Sequence, residues 1–64
     1  MKRVAMKTEK TTWSDVRKGD RVRVYGCYQD VVNVYATGRH ILADLKLSGV
    51  LAFTADTTVR REVS

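Results

Sequence analysis

Arg21, Arg23 and Tyr25 recur at two-residue spacing in the run Asp20-Arg21-Val22-Arg23-Val24-Tyr25. Along a strand alternate residues share a face, so two guanidiniums and a ring line one side while Val22 and Val24 line the other. That set suits a polyanion: guanidiniums contact successive phosphates, and the ring stacks on a base or sugar. Arg17 and Lys18 extend it upstream. Arg60 and Arg61 point to opposite faces of the last expected strand, so one of them is able to join the same patch. The competing reading is an outward face whose arginines pair with Asp30 or Asp44 on a neighbouring strand and whose tyrosine covers the end of the fold.

The charge of the chain is segregated. Of the net +5 on 64 residues, all lies in residues 1–23, with eight Lys and Arg against three acids; residues 24–64 hold four of each. A neutral body with a basic leading third is the pattern of a surface directed at a polyanion, or of a solvated terminus kept soluble by its charge.

Other chemistry is sparse. One histidine, His40, and one cysteine, Cys27, fall short of the converging ligand set a metal site needs. Cys27 reads as a small buried hydrophobe rather than a nucleophile, since no base adjoins it in sequence. A couple of Cys27 with His40 would still lack an orienting third group. A chain this short buries only about 60% of its unfolded surface, too little to wall a deep pocket. We therefore expect no enzyme, no cofactor and no metal. A lone cysteine cannot form an internal disulfide, and no apolar stretch follows the basic start, so a cytoplasmic protein without export or membrane segment is expected.

The elements that must position these residues are read from 18 β-branched positions: ten Val, seven Thr and one Ile. Strands are expected over 2–7, 20–25, 28–36, 40–47, 50–54 and 59–63, with a polar connection after the first. In 28–36, Val32, Val34 and Ala36 share a face with Tyr28 and Asp30, opposite Gln29, Val31, Asn33 and Tyr35. In 40–47, Ile41, Ala43, Leu45 and Leu47 point inward. The strand over 50–54 is apolar on both faces, so it is central or covered. The last is a short edge strand with Val59 and Val63 inward. Thr12 followed by Asp15 suggests a capped helical turn holding Trp13 and Val16 on one side, with Gly19 closing it in the left-handed region. Trp13 reads as a core plug or lid before a binding anchor. Thr37-Gly38 and Ser48-Gly49 mark hairpin turns.

The stretch Val16-Arg17-Lys18-Gly19-Asp20-Arg21-Val22-Arg23-Val24 resembles the x-x-G-D-x-V-x-V opening strand of small SH3-like barrels, including KOW-type modules of ribosome- and transcription-associated proteins. The run Phe53-Thr54-Ala55-Asp56-Thr57-Thr58-Val59 completes a pattern similar to short uncharacterised β proteins of actinobacterial bacteriophages. The resemblance covers roughly residues 16–63, and it implies a single SH3-like antiparallel barrel that contacts RNA or DNA. Gly26-Cys27-Tyr28 stands where KOW modules carry a glycine-rich loop.

The fold expected is thus mostly β: one domain over 1–64, a small antiparallel barrel of five to six short strands with one helical turn near Trp13, a sheet curled over that turn being the main competitor. Residues 1–11 form a basic strand or arm and 16–63 the body. Its expected role is a non-enzymatic module contacting DNA or RNA through Arg17, Lys18, Arg21, Arg23, Tyr25, Arg60 and Arg61. The alternative is a protein-interaction module, such as a phage-encoded adaptor or an inhibitor of an acidic host protein acting in the host cytoplasm. An uncovered edge strand would also allow a homodimer.

Overall fold

The structure, a computed structural model, describes residues 7–63. Six strands, β1 (Lys7–Thr12), β2 (Arg21–Val24), β3 (Cys27–Thr37), β4 (His40–Leu45), β5 (Gly49–Thr54) and β6 (Thr58–Val63), form one sheet in the order β1-β6-β2-β3-β4-β5. All pairings are antiparallel. Among the described residues no ladder joins β1 to β5, so the curled sheet is not closed. The long β3 serves both halves: its first residues pair with β2 and its last with β4.

Trp13, Val16, Val22, Val24, Val31, Ile41, Ala43, Leu45 and Val59 make the core, with Val34, Leu51, Phe53 and Ala55 packed around it. Trp13 stacks on Phe53 with ring centroids 4.0 Å apart and planes 8° from parallel. The strict alternation of β2 holds: Val22 and Val24 are buried, Arg21 and Arg23 exposed. The 3-10 turn η1 (Trp13–Asp15) buries Trp13, but not through a capping box. Thr12 makes no side-chain cap; its hydroxyl meets that of Ser14 at 2.9 Å. The free amides of the turn are instead satisfied across the fold, Trp13 N–H donating to the Thr57 carbonyl and Ser14 N–H to that of Ala55, each at 3.0 Å. This seats the turn in the β5–β6 connection and drives Trp13 into the core.

Gly19 belongs to a separate tight turn over 17–20, closed by Asp20 N–H on the Arg17 carbonyl at 3.0 Å, with φ at +94°. That is the conformation the third position of a type II turn requires.

Several expectations need correction. The expected strand over 2–7 lies outside the described residues except at Lys7, and β1 occupies the stretch expected as a polar connection. Its Thr8, Thr11 and Thr12 favour extended backbone, while Lys7, Glu9 and Lys10 suit an edge exposed to water. β6 is not an edge: it lies between β1 and β2, and Val63 is exposed rather than inward. β5 is not central but the opposite edge, with Leu51 and Phe53 on the core and Val50 exposed. The faces of β3 switch at a bulge between Val31 and Asn33. Gln29 and Val31 point inward before it, Val34 packs on the core after it, and Val32 is left exposed. Leu47 is 72% exposed, because β4 ends at Leu45 and the chain turns there: Lys46 N–H donates to the Asp30 carbonyl and Leu47 N–H to Gln29 Oε1. Cys27 is exposed rather than buried, its thiol donating to the Val24 carbonyl at 3.6 Å.

Candidate functional site

The outer face of the β1-β6-β2-β3 half carries two rows of charge with different fates. One row is compensated. Thr8 stands opposite Glu62 and Arg21 opposite Asp30, and Arg21 donates to both neighbours, at 3.1 Å to Glu62 Oε2 and 3.2 Å to Asp30 Oδ1.

The next row is not. Lys10 on β1 stands directly opposite Arg60 on β6, and Arg23 on β2 stands opposite Tyr28. Val22 registers with Arg61, so the antiparallel sense brings Arg23 towards Arg60. Lys10, Arg23 and Arg60 are exposed, and among the described residues none lies within ion-pair distance of a carboxylate. Like charges facing one another across strands are destabilising, so this row is an unbalanced concentration of positive charge.

The row borders an open cleft of about 490 Å³ between residues 23–25 of β2 and its turn and Thr57 with the first three residues of β6. β2 and β6 share one registered pair, Val22 with Arg61, and the cleft begins beyond it. Val24, Val59, Trp13 and Phe53 form its apolar wall, and Lys10, Arg23 and Arg60 its charged rim. Tyr25, 80% exposed, stands at its mouth. Trp13 is fully buried and supports the wall rather than offering a ring face.

Arg61, next to Arg60, faces the other way and has a different task. Its Nε donates to Glu9 Oε2 at 2.9 Å, with Nη2 on the same oxygen, and its Nη1 donates at 3.1 Å to both Asp20 Oδ2 and the Asp15 carbonyl. Its hydrogen bonds to Glu9 and then to Asp20 raise its pKa above the ordinary guanidinium value. One side chain thus ties together β1, the 3-10 turn, the turn over 17–20 and β6.

Of the residues singled out in the sequence, the fold brings Arg23, Tyr25 and Arg60 to one cleft. Arg21 and Arg61 stand in ion pairs. Arg17 and Lys18 lie on the turn over 17–20, away from the cleft, with Arg17 Nη1 donating to the Ser14 carbonyl at 3.3 Å. Lys10 and Phe53 were not singled out; Lys10 lay in a run without apolar alternation, and its proximity to Arg60 comes only from the β1–β6 ladder. Cys27 and His40 do not meet. His40 is the register partner of Thr37, at the far end of β3 from Cys27, so the whole length of the longest strand separates them. Among the described residues no group of three or more His, Cys, Asp or Glu is placed to hold a metal ion, and no helix is long and apolar enough to cross a membrane. No known protein family, curated protein or solved structure matches the chain.

Proposed function

We propose that this protein is a small non-enzymatic binding module that holds nucleic acid on the Lys10/Arg23/Arg60 row, with Tyr25 at the edge of the same cleft. The observation that carries the reading is the facing pair Lys10 and Arg60, like charges joined by Arg23 around one cleft with no carboxylate among the described residues to balance them. Phosphate oxygens supply the missing charge and release condensed counterions as they do so. The sheet belongs to a partly open SH3-like barrel in this reading: β6 returns beside β2, β3 bends through both halves, and the turn at Trp13 plugs one end. Arg17 and Lys18 add long-range attraction rather than contacts in the cleft. Kinship with KOW-type modules and with small phage β proteins, and action in a host cytoplasm, are part of the same proposal. An acidic protein surface is the alternative partner, since the row is equally complementary to clustered carboxylates.

The test is a fluorescence anisotropy titration of a labelled oligonucleotide at two salt concentrations. With three phosphate contacts on a single strand, the slope of log K against log salt is about −2, so a fourfold rise in salt weakens binding about 20-fold. Replacing Lys10 or Arg60 by Ala reduces the slope by about 0.7 each, while Lys46→Ala, in the β4–β5 loop, leaves it unchanged. Absence of binding at low salt rejects the reading in favour of a protein partner.

A further inference from the structure

Tyr25 and Gly26 form the two-residue loop between Val24 and Cys27, with φ of +54° and +79°. Two successive left-handed residues are the mark of a type I′ hairpin turn, whose first position is normally Asn, Asp or Gly. Tyr25 is the one non-glycine residue with positive φ among those described. A bulky side chain is strained in that region, and the strain persists only where something over-determines it. Packing does not: the side chain is 80% exposed and stands clear of the core cluster. The fold therefore carries an aromatic ring at a position where Asn would serve the turn better, and that position is the mouth of the cleft rimmed by Lys10, Arg23 and Arg60.

We infer that Tyr25 is a stacking platform for an unpaired base, and that the ligand class is single-stranded nucleic acid with its phosphates on the three cations. The inference rests on the nucleic-acid reading above and narrows it. A ring face is able to cover a base only if the base is out of its stack; in a duplex the base faces are already covered and only edges and phosphates are presented. The cleft, at about 490 Å³, matches a small-ligand site in size, and its wall at Val24, Val59 and Phe53 is apolar. A ring at the mouth, cations along the rim and an apolar wall receive a base and its phosphate together.

The strain supplies a test that separates fold from ligand. Tyr25→Asn relieves the turn, so the melting temperature rises by about 4–8 °C. The same variant binds a single-stranded oligonucleotide at least about tenfold more weakly, in the range found for removing one stacked base. Tyr25→Phe keeps the ring and binds within about twofold of the parent protein. A duplex of the same sequence binds more weakly than the single strand and is indifferent to Tyr25→Asn. If duplex and single strand bind equally and Tyr25→Asn changes neither, the inference fails while the broader reading stands. If the parent protein binds neither, both fail. If Tyr25→Asn lowers the melting temperature, the ring is a structural element and the inference fails. It fails also if polyglutamate, rather than the oligonucleotide, is what the Tyr25 cleft binds.

Discussion

Arg60 and Arg61 are adjacent in sequence and have opposite duties, so matched substitutions to Met dissect them. Arg61 makes three directed interactions. Its ion pair with Glu9, a half-exposed carboxylate, contributes about 0.5–1 kcal/mol. Its pair with Asp20 joins two better shielded side chains and contributes about 1 kcal/mol. The bond to the Asp15 carbonyl adds about 0.5 kcal/mol. Arg61→Met keeps the aliphatic stem and, on these figures, loses about 2 kcal/mol. A domain of this size holds only about 3–10 kcal/mol in total. The melting temperature should fall by about 8–16 °C. Trp13, the only tryptophan and fully buried, reports the transition by fluorescence. Because the folded-state pKa of Arg61 is raised, its contribution is complete from neutral pH up to the unfolded guanidinium value and is lost on the alkaline side only as pH rises through the still higher folded value. The deficit of the variant therefore does not shrink between neutral pH and about pH 10. Arg60→Met should leave the melting temperature unchanged or slightly raised, since it removes repulsion with Lys10, and should flatten the salt dependence of oligonucleotide binding. An Arg61→Met variant melting within about 2 °C of the parent, or an Arg60→Met variant losing as much stability as Arg61→Met, would refute this division of labour.

Two further outcomes follow from buried polar and backbone features. Gln29 is buried, its amide nitrogen donating to the Val24 carbonyl and its oxygen accepting from Leu47 N–H. Gln29→Leu strands Leu47 N–H and leaves the Val24 carbonyl with one side-chain donor fewer, the Cys27 thiol remaining, and costs about 1–3 kcal/mol, measurable by urea denaturation. A methyl group added at Gly19 meets no neighbouring atom, so any loss in Gly19→Ala is backbone strain alone. That loss, about 1 kcal/mol, shows as a melting temperature lower by about 4–8 °C with binding unaffected.

The parts of the fold legible in the sequence were those written in local chemistry. Val22 and Val24 alternate with arginines, and Gly38 and Gly49 adopt the positive φ that their turns demand. Trp13 and Val16 fall on one side of a short turn and are both buried. What was hidden depends on partners distant in sequence. β1 carries no apolar stripe because it lies at an edge, and its identity as a strand comes from its ladder with β6. The bulge at Val32 inverts the parity of β3 without any glycine to announce it. β5 looked central or covered because apolar residues occupy both its faces, yet nothing pairs with its outer edge among the described residues. For the site the same division holds. The cation-and-ring spacing of Arg23 and Tyr25 was visible, but which arginines keep a free charge was decided by Glu9, Asp20, Asp30 and Glu62 arriving from other strands and turns.

The single registered pair between β2 and β6 also bears on the order in which this molecule is expected to assemble. β2 to β5 form a meander of neighbours closed by short loops, a cheap search for the chain. β6, by contrast, must find β1 and β2 from the far end of the sequence, Val22 meeting Arg61 and Lys7 meeting Val63. On this contact-order argument β6 is expected to dock last, and the cleft to form with it. If that docking follows the folding barrier, a ligand bridging Arg23 and Arg60 acts only on contacts absent from the transition state. It should slow unfolding in proportion to its affinity while leaving the folding rate unchanged, so binding at this site registers as kinetic persistence of the native state.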